Sequence, residues 1–436
     1  MAADSIDWVK GQAAIRPDAA ALQIGGSVTT YRELDEEADE YAAELTQRGV
    51  GRGHLLRFPA AFDRTSVVVI VAGPRAGAVI APQPTYASTH LDLIDEASGG
   101  GEPARVVLDT SGTGGRRRSC VLTSSNVAAA VAASRGRLGN GSDDRWLLCL
   151  PLHHVAGVSI LWRSFEAGGT VVIEAGFDAG RVARSLAEGS VTFTSLVPTM
   201  LYRILRSHPG PYRNHLRGVL VGGAGAGASL VREALDAGLP VLPTYGMTEA
   251  CSQVATVAPG RARQDLGTVG TPLDTMTVSI RSAQGEPCPA GTTGRIVVAG
   301  PAVSPGYLGE PRRTGVHVTG DLGHFDAEGR LVVVGRSDDM VISGGENVMP
   351  LAVADVIEQN PAVHRCAVFG VPDPEWGQVV AAAVTGEALD EQRLRAWAEL
   401  RLSPAEVPRV WLIKDDLPEL DTGKVDTDAL RAELAG

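Results

Sequence analysis

Between residues 124 and 246, helical patterns alternate with short runs of β-branched and other apolar residues. The helical patterns cover residues 124–135 and 178–188, and the apolar runs cover residues 145–152, 169–175, 191–197, 217–223 and 240–246. Strands that alternate with helices are typical of a sheet whose faces are covered by those helices, with crossover connections between parallel strands. This part of the chain therefore predicts an α/β fold with a mostly parallel, helix-covered sheet.

Before this region, residues 31–49 carry the pattern of an amphipathic helix. Apolar residues recur every three or four positions, Thr29 and Thr30 are suitable caps, and Gly49 is a stop signal. Two apolar runs follow at residues 66–73 and 77–81.

Two further patterns follow toward the C-terminus. From about residue 267 the chain has short strands and turns, and Asp-Ala-Glu-Gly at 326–329 predicts a hairpin turn in a small β-barrel-like part. After Arg336 a second α/β pattern begins, long enough for a small domain. Its predicted strands cover residues 340–345, 363–372, 379–386 and 409–413, and its predicted helices cover residues 350–361 and 390–402. We predict an N-terminal domain at 1–335 and a mobile α+β C-terminal domain at 336–436.

The charge and cysteine content limit the function classes. The formal net charge of −12 argues against nucleic acid or an anionic membrane as the main partner. Arg75 interrupts the longest apolar stretch, and the N-terminus lacks the pattern of a signal peptide, so we expect a cytoplasmic protein. The five cysteines are scattered without a CxxC pair, which predicts small buried side chains instead of disulfides or structural zinc.

Several common motifs are weak or absent. The glycines of residues 222–227 resemble a GxGxxG spacing but lie far from an N-terminal βαβ unit. The sequence has no GxxxxGK[ST], HExxH or GxSxG motif. His153 and His154 are adjacent, and on a strand their side chains would point in opposite directions, so they do not predict a metal site.

Four segments together are more informative. They are Thr-Ser-Gly-Thr-Gly-Gly at 110–115, PTYGMTEACSQV at 243–254, the stretch from VTGD to GGENV at 318–348, and LPELDTGKVD at 417–426. Their order and spacing resemble the adenylate-forming superfamily, and within it the o-succinylbenzoate–CoA ligases and related aryl-acid ligases. The segments 150–165, 195–205 and 346–363 extend this resemblance across nearly the whole chain.

The resemblance implies a two-step reaction. A carboxylic acid and ATP form an acyl-adenylate and pyrophosphate, and the thiol of CoA then displaces AMP. The first step brings negative charges together at the α-phosphate, so it requires cations and oriented groups. ATP, Mg²⁺ and CoA are the implied cofactors and substrates, and the small residues at 222–227 suggest a bulky or ring-bearing acid.

The resemblance also assigns roles to individual residues. Lys424 would bridge the carboxylate and the α-phosphate, Thr248 would bind that phosphate, and Glu249 would hold Mg²⁺, which prefers oxygen ligands. His154 would lie at the mouth of the acyl pocket. The remaining binding residues implied are Thr110, Ser111, Gly112 and Thr113 for phosphate, Gly222, Gly223, Ala224, Thr244, Tyr245, Gly246, Met247, Asp321 and Arg336 for the adenylate, and Gly344 and Gly345 for pantetheine.

Within that set, Tyr245 would stack on adenine, and Asp321 would accept hydrogen bonds from the ribose hydroxyls. Arg336 would reinforce the ribose end of the site. Asp338 occupies the expected hinge position, about which the C-terminal domain would turn between presenting Lys424 and presenting the pantetheine loop.

The chain departs from the family pattern at the phosphate loop. Gly114 replaces a threonine, and Arg116, Arg117, Arg118 and Ser119 replace the lysine-containing residues that usually follow. The segment before the loop is also short, and residues 90–105 leave little room for the usual strand and helix.

Four functions therefore stay open from the sequence. The chain is a complete acid–CoA ligase, or an enzyme that converts only a preformed acyl-adenylate supplied by a separate adenylating enzyme. The third possibility is an enzyme that loads a carrier protein, and the fourth is an inactive nucleotide-binding protein.

Overall fold

Helices and strands alternate along much of the chain. The computed structural model describes residues 6–94, 102–111, 117–212, 215–313, 315–420 and 423–435. The helices of the described part are α1 (Trp8–Ile15), α2 (Tyr31–Gln47), α3 (Arg64–Arg75), α4 (Ser124–Leu138), α5 (Val155–Ala167), α6 (Ala179–Glu188), α7 (Pro198–Ser207), α8 (Ala228–Asp236), α9 (Pro350–Ile357), α10 (Glu391–Glu399) and α11 (Thr427–Ala435).

The strands in chain order are β1 (Ala20–Ile24), β2 (Ser27–Thr30), β3 (His54–Pro59), β4 (Val79–Gln83), β5 (His90–Leu93), β6 (Ala104–Ser111), β7 (Arg117–Thr123), β8 (Arg145–Leu148), β9 (Thr170–Ile173), β10 (Phe193–Leu196), β11 (Gly218–Val221), β12 (Val241–Met247), β13 (Ser252–Thr256), β14 (Thr271–Pro272), β15 (Thr277–Arg281), β16 (Gly294–Ala299), β17 (Gly306–Tyr307), β18 (Val316–Phe325), β19 (Leu331–Arg336), β20 (Val341–Ser343), β21 (Glu346–Val348), β22 (Val363–Asp373), β23 (Gly377–Gly386) and β24 (Val410–Ile413).

The largest sheet confirms the predicted parallel, helix-covered architecture. Its nine strands are ordered β14-β13-β12-β11-β10-β8-β9-β1-β2. The neighbours from β12 to β1 pair in parallel, whereas the strands at both edges pair antiparallel. In such sheets, ligands bind in the crevice beyond the carboxyl ends of the parallel strands. The residues that follow β8, β10, β11 and β12 therefore surround the candidate site.

The second sheet corrects one prediction. Its six strands are ordered β17-β7-β6-β4-β3-β5, and β6 and β7 form an antiparallel hairpin. The short segment at 90–105 does contain a strand, because β5 pairs antiparallel with β3. The expectation that this segment leaves little room for a strand is therefore wrong. Residues 95–101 of that segment lie outside the described part of the chain.

The predicted turns and caps are present. The side chain of Thr30 accepts the backbone N–H of Glu33 and caps α2 in a reciprocal capping box. Asp326–Gly329 forms the hairpin turn between β18 and β19, with Gly329 at φ +75°. The small β-rich part is a four-stranded antiparallel sheet ordered β15-β16-β18-β19.

The residues after Arg336 form their own layers. Strands β20 to β24 make a five-stranded sheet, and no sheet in the described part of the chain combines strands from both sides of Arg336. Two apolar clusters lie entirely within this segment, one between the sheet and α9 and α10, the other beneath α11. That this unit moves as a domain stays a prediction.

The apolar stretch around Arg75 forms α3 and β4, and no helix in the described ranges is long and apolar enough to cross a membrane. All five cysteines are free thiols; Cys120, Cys149 and Cys251 are buried, while Cys288 and Cys366 are half-buried.

Candidate active site

Two neighbouring strands bring the predicted adenylate residues together. Gly222 follows β11, and Thr244 to Met247 end the adjacent parallel strand β12. A Cβ on Gly222 would lie 2.7 Å from Cγ2 of Thr244, and a Cβ on Gly246 would lie 1.9 Å from the carbonyl oxygen of Ser252. Neither position has space for a side chain, so the backbones approach as closely as glycine allows.

The turn after β12 is strained. Thr248–Ala250 forms one 3-10 turn, and the next residues, Cys251 and Ser252, have φ values of +52° and +102°. Non-glycine residues rarely adopt these conformations, and such strain concentrates at functional sites. Thr248 and Glu249, the predicted phosphate and metal residues, lie on this turn and are half-buried.

Tyr245, Asp321 and Arg336 lie in contact although they come from different sheets. The Tyr245 hydroxyl donates a hydrogen bond of 2.5 Å to Oδ2 of Asp321. Burial raises the pKa of the Tyr245 phenol well above its usual value, and the Asp321 charge adds to this effect, so the hydroxyl stays a donor. Asp321 and Arg336 are register partners of β18 and β19, with Nη1 and Oδ1 3.6 Å apart. Oδ1 of Asp321 accepts no hydrogen bond within the described ranges, so it is available to accept ribose hydroxyls.

Lys424 lies at the same cleft. The residue as a whole is exposed, yet desolvation by the atoms around its ammonium lowers its pKa. The positive charge of Arg336 acts in the same direction, while Asp321 and Asp339 act against it. The lysine therefore lies within electrostatic range of the predicted ribose acid, as an adenylation cation requires.

Glu249 has a partner that the sequence analysis did not identify. The Tyr307 hydroxyl donates to Oε1 of Glu249 at 2.6 Å, and no hydrogen bond engages Oε2 within the described ranges. One carboxylate with a free oxygen fits Mg²⁺, which is commonly held by one or two carboxylates together with substrate phosphates and waters. No cluster of three or more His, Cys, Asp or Glu in the described part of the chain could hold a metal by itself.

Arg118 is engaged on the other side of Tyr307. Its guanidinium lies 3.4 Å from the centre of the Tyr307 ring, and its Nη2 contacts both carboxylate oxygens of Glu310 at 2.8 Å. Arg313 lies 3.6 Å from Glu310 and 5.7 Å from the same ring. An arginine that replaces the family's loop residues thus supports the tyrosine that contacts Glu249.

His317 is a further residue that the sequence analysis missed. Burial lowers the pKa of its imidazole, Arg313 acts in the same direction, and Glu249 acts against both. His317 therefore lies within the charged surroundings of Glu249. Strand alternation does not reveal it, because β18 is irregular against β16 between Val318 and Leu322.

The other predicted site residues occupy several places. Thr110 donates its hydroxyl to the carbonyl of Arg118 at 3.2 Å inside the β6–β7 hairpin, and Ser111 ends β6. Gly112 and Thr113 lie outside the described residues. Gly223, at φ +81°, and Ala224 are exposed above the cleft, and Met247 is half-buried.

The paired histidines differ from the prediction. His153 and His154 lie in a turn before α5, not on a strand, and their ring centres are 4.3 Å apart. The argument that their side chains point in opposite directions is therefore wrong, and His154 occupies the N-cap position of α5 without a side-chain capping hydrogen bond.

The predicted pantetheine glycines lie in a turn of the C-terminal unit, where Gly344 contacts Trp376. Gly344, at φ +59°, and Gly345, at φ +87°, join β20 to β21. A Cβ on Gly344 would lie 2.5 Å from the ring of Trp376. Asp338, the predicted hinge, lies in the turn between β19 and β20 and accepts a 3.2 Å hydrogen bond from Arg336.

Comparison with known protein families gives two matches. The model of the AMP-binding enzymes matches residues 101–308, and the model of the AMP-binding enzyme C-terminal domain matches residues 352–424. The chain is 33% identical to the 2-succinylbenzoate–CoA ligase of Bacillus licheniformis over 98% of this chain and 99% of that protein. It is 30% identical to the 2-succinylbenzoate–CoA ligase of Listeria monocytogenes, with 98% of each chain covered.

Solved structures give the same grouping. The o-succinylbenzoate CoA synthetase (MenE) of Bacillus subtilis, in complex with the acyl-adenylate intermediate OSB-AMP, superposes with a TM-score of 0.86 at 27% identity over 99% of this chain and 98% of that one. The same protein with ATP and magnesium gives a TM-score of 0.85 at 27% identity over 99% of each chain. ATP-bound MatB from Rhodopseudomonas palustris gives 0.88 at 25% identity, over 98% of this chain and 99% of that one.

Proposed function

This chain belongs to the family of AMP-binding enzymes that includes the 2-succinylbenzoate–CoA ligases, and we propose that the acid it activates is 2-succinylbenzoate. The chain is an acid–thiol ligase that uses ATP, Mg²⁺ and CoA and acts through an acyl-adenylate. The observation that carries the assignment of residues is the meeting of Tyr245, Asp321, Arg336 and Lys424 at one cleft.

In the first step, the chain's own residues position AMP and concentrate positive charge. Asp321 accepts the ribose hydroxyls while Tyr245 and Arg336 fix its carboxylate. Lys424 binds the incoming carboxylate and the α-phosphate as charge develops between them. Glu249 would hold Mg²⁺, which neutralises phosphate charge when it is bound.

In the second step, the thiol of CoA attacks the acyl carbon and AMP leaves. The Gly344–Gly345 loop, which joins β20 to β21, would flank pantetheine after the C-terminal unit turns about Asp338. In that arrangement Lys424 no longer lies beside the phosphate. Each half-reaction therefore depends on a different surface of the same C-terminal unit.

The altered phosphate loop does not by itself favour an enzyme limited to the second step. Arg118 supports Tyr307 and, through it, Glu249, which serves the ATP step. Lys424 is also present at the cleft, and a thioester-only enzyme has no use for it there. A carrier protein as the thiol acceptor stays an untested alternative, which a trial of holo-carrier against CoA would decide.

A buried cation supports an acid with a second carboxylate. Arg163 is only 3% exposed, and its Nη2 donates to the hydroxyl of Ser252 at 2.8 Å. Burial lowers the pKa of its guanidinium to about 10, and no carboxylate pairs with it within the described ranges. Since buried charges are normally paired, a substrate carboxylate would supply the missing anion. Arg163 is a residue of helix α5, which follows His154, and it contacts Ser252 just after the strained turn that carries Glu249.

The test measures CoA thioester formation by mass spectrometry. With ATP, we expect 2-succinylbenzoate to be converted, and benzoate and 2-methylbenzoate to be much poorer substrates. Arg163→Met is expected to lower kcat/KM for 2-succinylbenzoate at least about tenfold while affecting the monocarboxylates little, and Arg163→Lys is expected to recover part of the loss.

The controls separate failure of the substrate from failure of the fold. AMP binding by calorimetry is expected to be unchanged in both Arg163 variants. Conversion of benzoate as efficiently as 2-succinylbenzoate would refute the proposed substrate. Thioester without pyrophosphate release would refute adenylation by this chain.

A further inference from the structure

Lys424 is carried by a short hairpin within residues 417–426. Glu419 and Val425 form an antiparallel bridge, and the backbone N–H of Leu420 donates to the carbonyl of Lys424 at 2.8 Å. The N–H of Asp426 donates to the carbonyl of Pro418 at 2.8 Å. These bonds fix the hairpin internally, but they do not determine where it lies relative to the AMP cleft.

Helix α7 of the N-terminal part holds the hairpin from outside. The hydroxyl of Thr199 donates to the carbonyl of Gly423, next to Lys424, at 2.5 Å. Gly423 has φ +74°, and a Cβ there would lie 2.8 Å from Val197. Thr199 and Arg203 are four residues apart and therefore share one face of α7. That face carries the contacts between the two parts of the chain nearest to Lys424.

Arg203 makes the charged contact on this face. Its Nη2 lies 3.1 Å from Oε2 of Glu419 and 3.7 Å from Oδ2 of Asp416. Glu419 side-chain exposure is only 14%, so water screens the Arg203 contact less than at an open surface. The other carboxylate oxygen of Glu419, Oε1, lies 2.9 Å from Arg365 of the C-terminal unit.

The ion pairs within the C-terminal unit remain when the hairpin leaves α7. Arg365, with 8% side-chain exposure, keeps both Asp416 and Glu419 as partners when Arg203 is removed. Loss of Arg203 therefore leaves no buried charge unpaired, and it weakens only the docking of the hairpin.

We propose that Arg203 is a positioning residue for adenylation: by binding Glu419 it holds the hairpin on α7 and so keeps Lys424 at the AMP cleft. The inference rests on the proposed role of Lys424 in the first step. Arg203 releases Glu419 when the C-terminal unit turns, so it contributes to the first half-reaction and not to the second. The Arg203–Glu419 pair raises the population of the docked arrangement. A ligand that binds only this arrangement therefore binds with higher apparent affinity.

The experiment measures the two half-reactions separately in the full-length chain. Acyl-adenylate formation is followed by ATP–pyrophosphate exchange with 2-succinylbenzoate, and thioester formation is followed from synthetic acyl-adenylate and CoA. Arg203→Met is expected to slow exchange about tenfold and to leave the thioester reaction within about twofold of wild type. Arg203→Lys is expected to restore most of the exchange rate.

The chain offers a matched control on the same helix. Arg206 has side-chain exposure of 43%, against 42% for Arg203, but it pairs with Glu233 of α8 and not with the hairpin. Arg206→Met is expected to leave both half-reactions unchanged. Lys424→Met is expected to abolish exchange and retain thioester formation.

The outcomes distinguish the inference from the proposed function. Equal exchange rates for Arg203→Met and Arg206→Met would overturn the positioning role while leaving that of Lys424 intact. Equal slowing of both half-reactions by Arg203→Met would overturn it as well, since that result indicates general damage. Full exchange by Lys424→Met would overturn the role of Lys424 and the inference with it.

Discussion

Tyr307 joins a cation and an anion through different parts of one side chain. Its ring face contacts the Arg118 guanidinium, and its hydroxyl donates to Glu249. Burial raises the pKa of the Tyr307 phenol, and Glu249 adds to that shift, so the hydroxyl keeps its proton at neutral pH. The residue therefore orients the carboxylate that would hold Mg²⁺, in the manner of an outer-shell hydrogen bond.

We expect Tyr307→Phe to weaken the use of Mg²⁺. The substitution keeps the ring beneath Arg118 but removes a hydrogen bond to a charged group, so kcat/KM for ATP is expected to fall about tenfold. A higher Mg²⁺ concentration for half-maximal pyrophosphate release is the specific signature. Unchanged Mg²⁺ dependence, with Glu249→Gln as the reference for full loss, would contradict the role.

At the scale of single residues, the sequence predicts the site residues that belong to a motif. It does not predict the site residues that reach the site from segments outside the motifs. Tyr245, Asp321, Arg336 and Lys424 come from recognisable motifs, and the structure brings them together. Tyr307 and His317 reach Glu249 only through the fold. No local pattern marks them, because Glu249 lies 58 residues before Tyr307 in the sequence and further still before His317.

At the scale of elements, helix α9 places a carboxylate against the N-terminal part. A Cβ on Gly227 would lie 2.5 Å from Oε2 of Glu358, the residue after α9, and the backbone N–H of Cys366 donates to its Oε1 at 2.9 Å. Burial raises the pKa of Glu358 to about 7, and Asp355 adds to the shift while Arg365 opposes it.

The sign of this shift sets a pH dependence. Because the folded form binds the proton more tightly than the unfolded form, stability falls as pH rises from about 4.5 through about 7, and is constant above. Glu358→Gln is expected to raise Tm near pH 8 and to flatten the dependence of Tm on pH across this window. Thermal unfolding by circular dichroism checks it, with exposed Glu399→Gln as control. Equal pH profiles for Glu358→Gln and wild type would contradict the prediction.

The alternation of helices and apolar runs predicted β8 to β12 of the nine-stranded sheet, because each of these strands is a short apolar run. The other four strands of that sheet, and also β5 and α11, were not predicted. The sequence of β5, His-Leu-Asp-Leu, is half polar, and its strand character comes from pairing with β3 at a sheet edge. Helix α11 lacks a strong helical pattern of apolar residues. It is stabilised by packing Leu430 into the second C-terminal cluster.

At the scale of the whole molecule, the two parts of the chain are joined at Asp338 and meet at the α7 face and beside α9. The second α/β pattern after Arg336 predicted the two-part layout, whereas the contacts of Arg203 with Asp416 and Glu419 emerge only from the tertiary arrangement. Long-range ion pairs carry no sequence period, so no inspection of the chain identifies them.

Asp338→Pro is expected to separate the two half-reactions. Proline fixes φ near −65° and removes the rotation that a hinge needs. Adenylation by the docked form is expected to stay within about twofold of wild type, and thioester formation to fall at least about tenfold. The Asp338→Ala variant keeps backbone freedom and serves as control. Thioester formation at the wild-type rate in the proline variant would exclude Asp338 as the pivot.

The Lys424 hairpin and the Gly344–Gly345 loop belong to one unit but lie at different places on it. If the loop guides pantetheine as proposed, it cannot bring a thiol to the cleft while the hairpin occupies it. Pyrophosphate would then leave before CoA gains access, and we expect ping-pong kinetics, with parallel double-reciprocal lines for ATP at several fixed CoA concentrations.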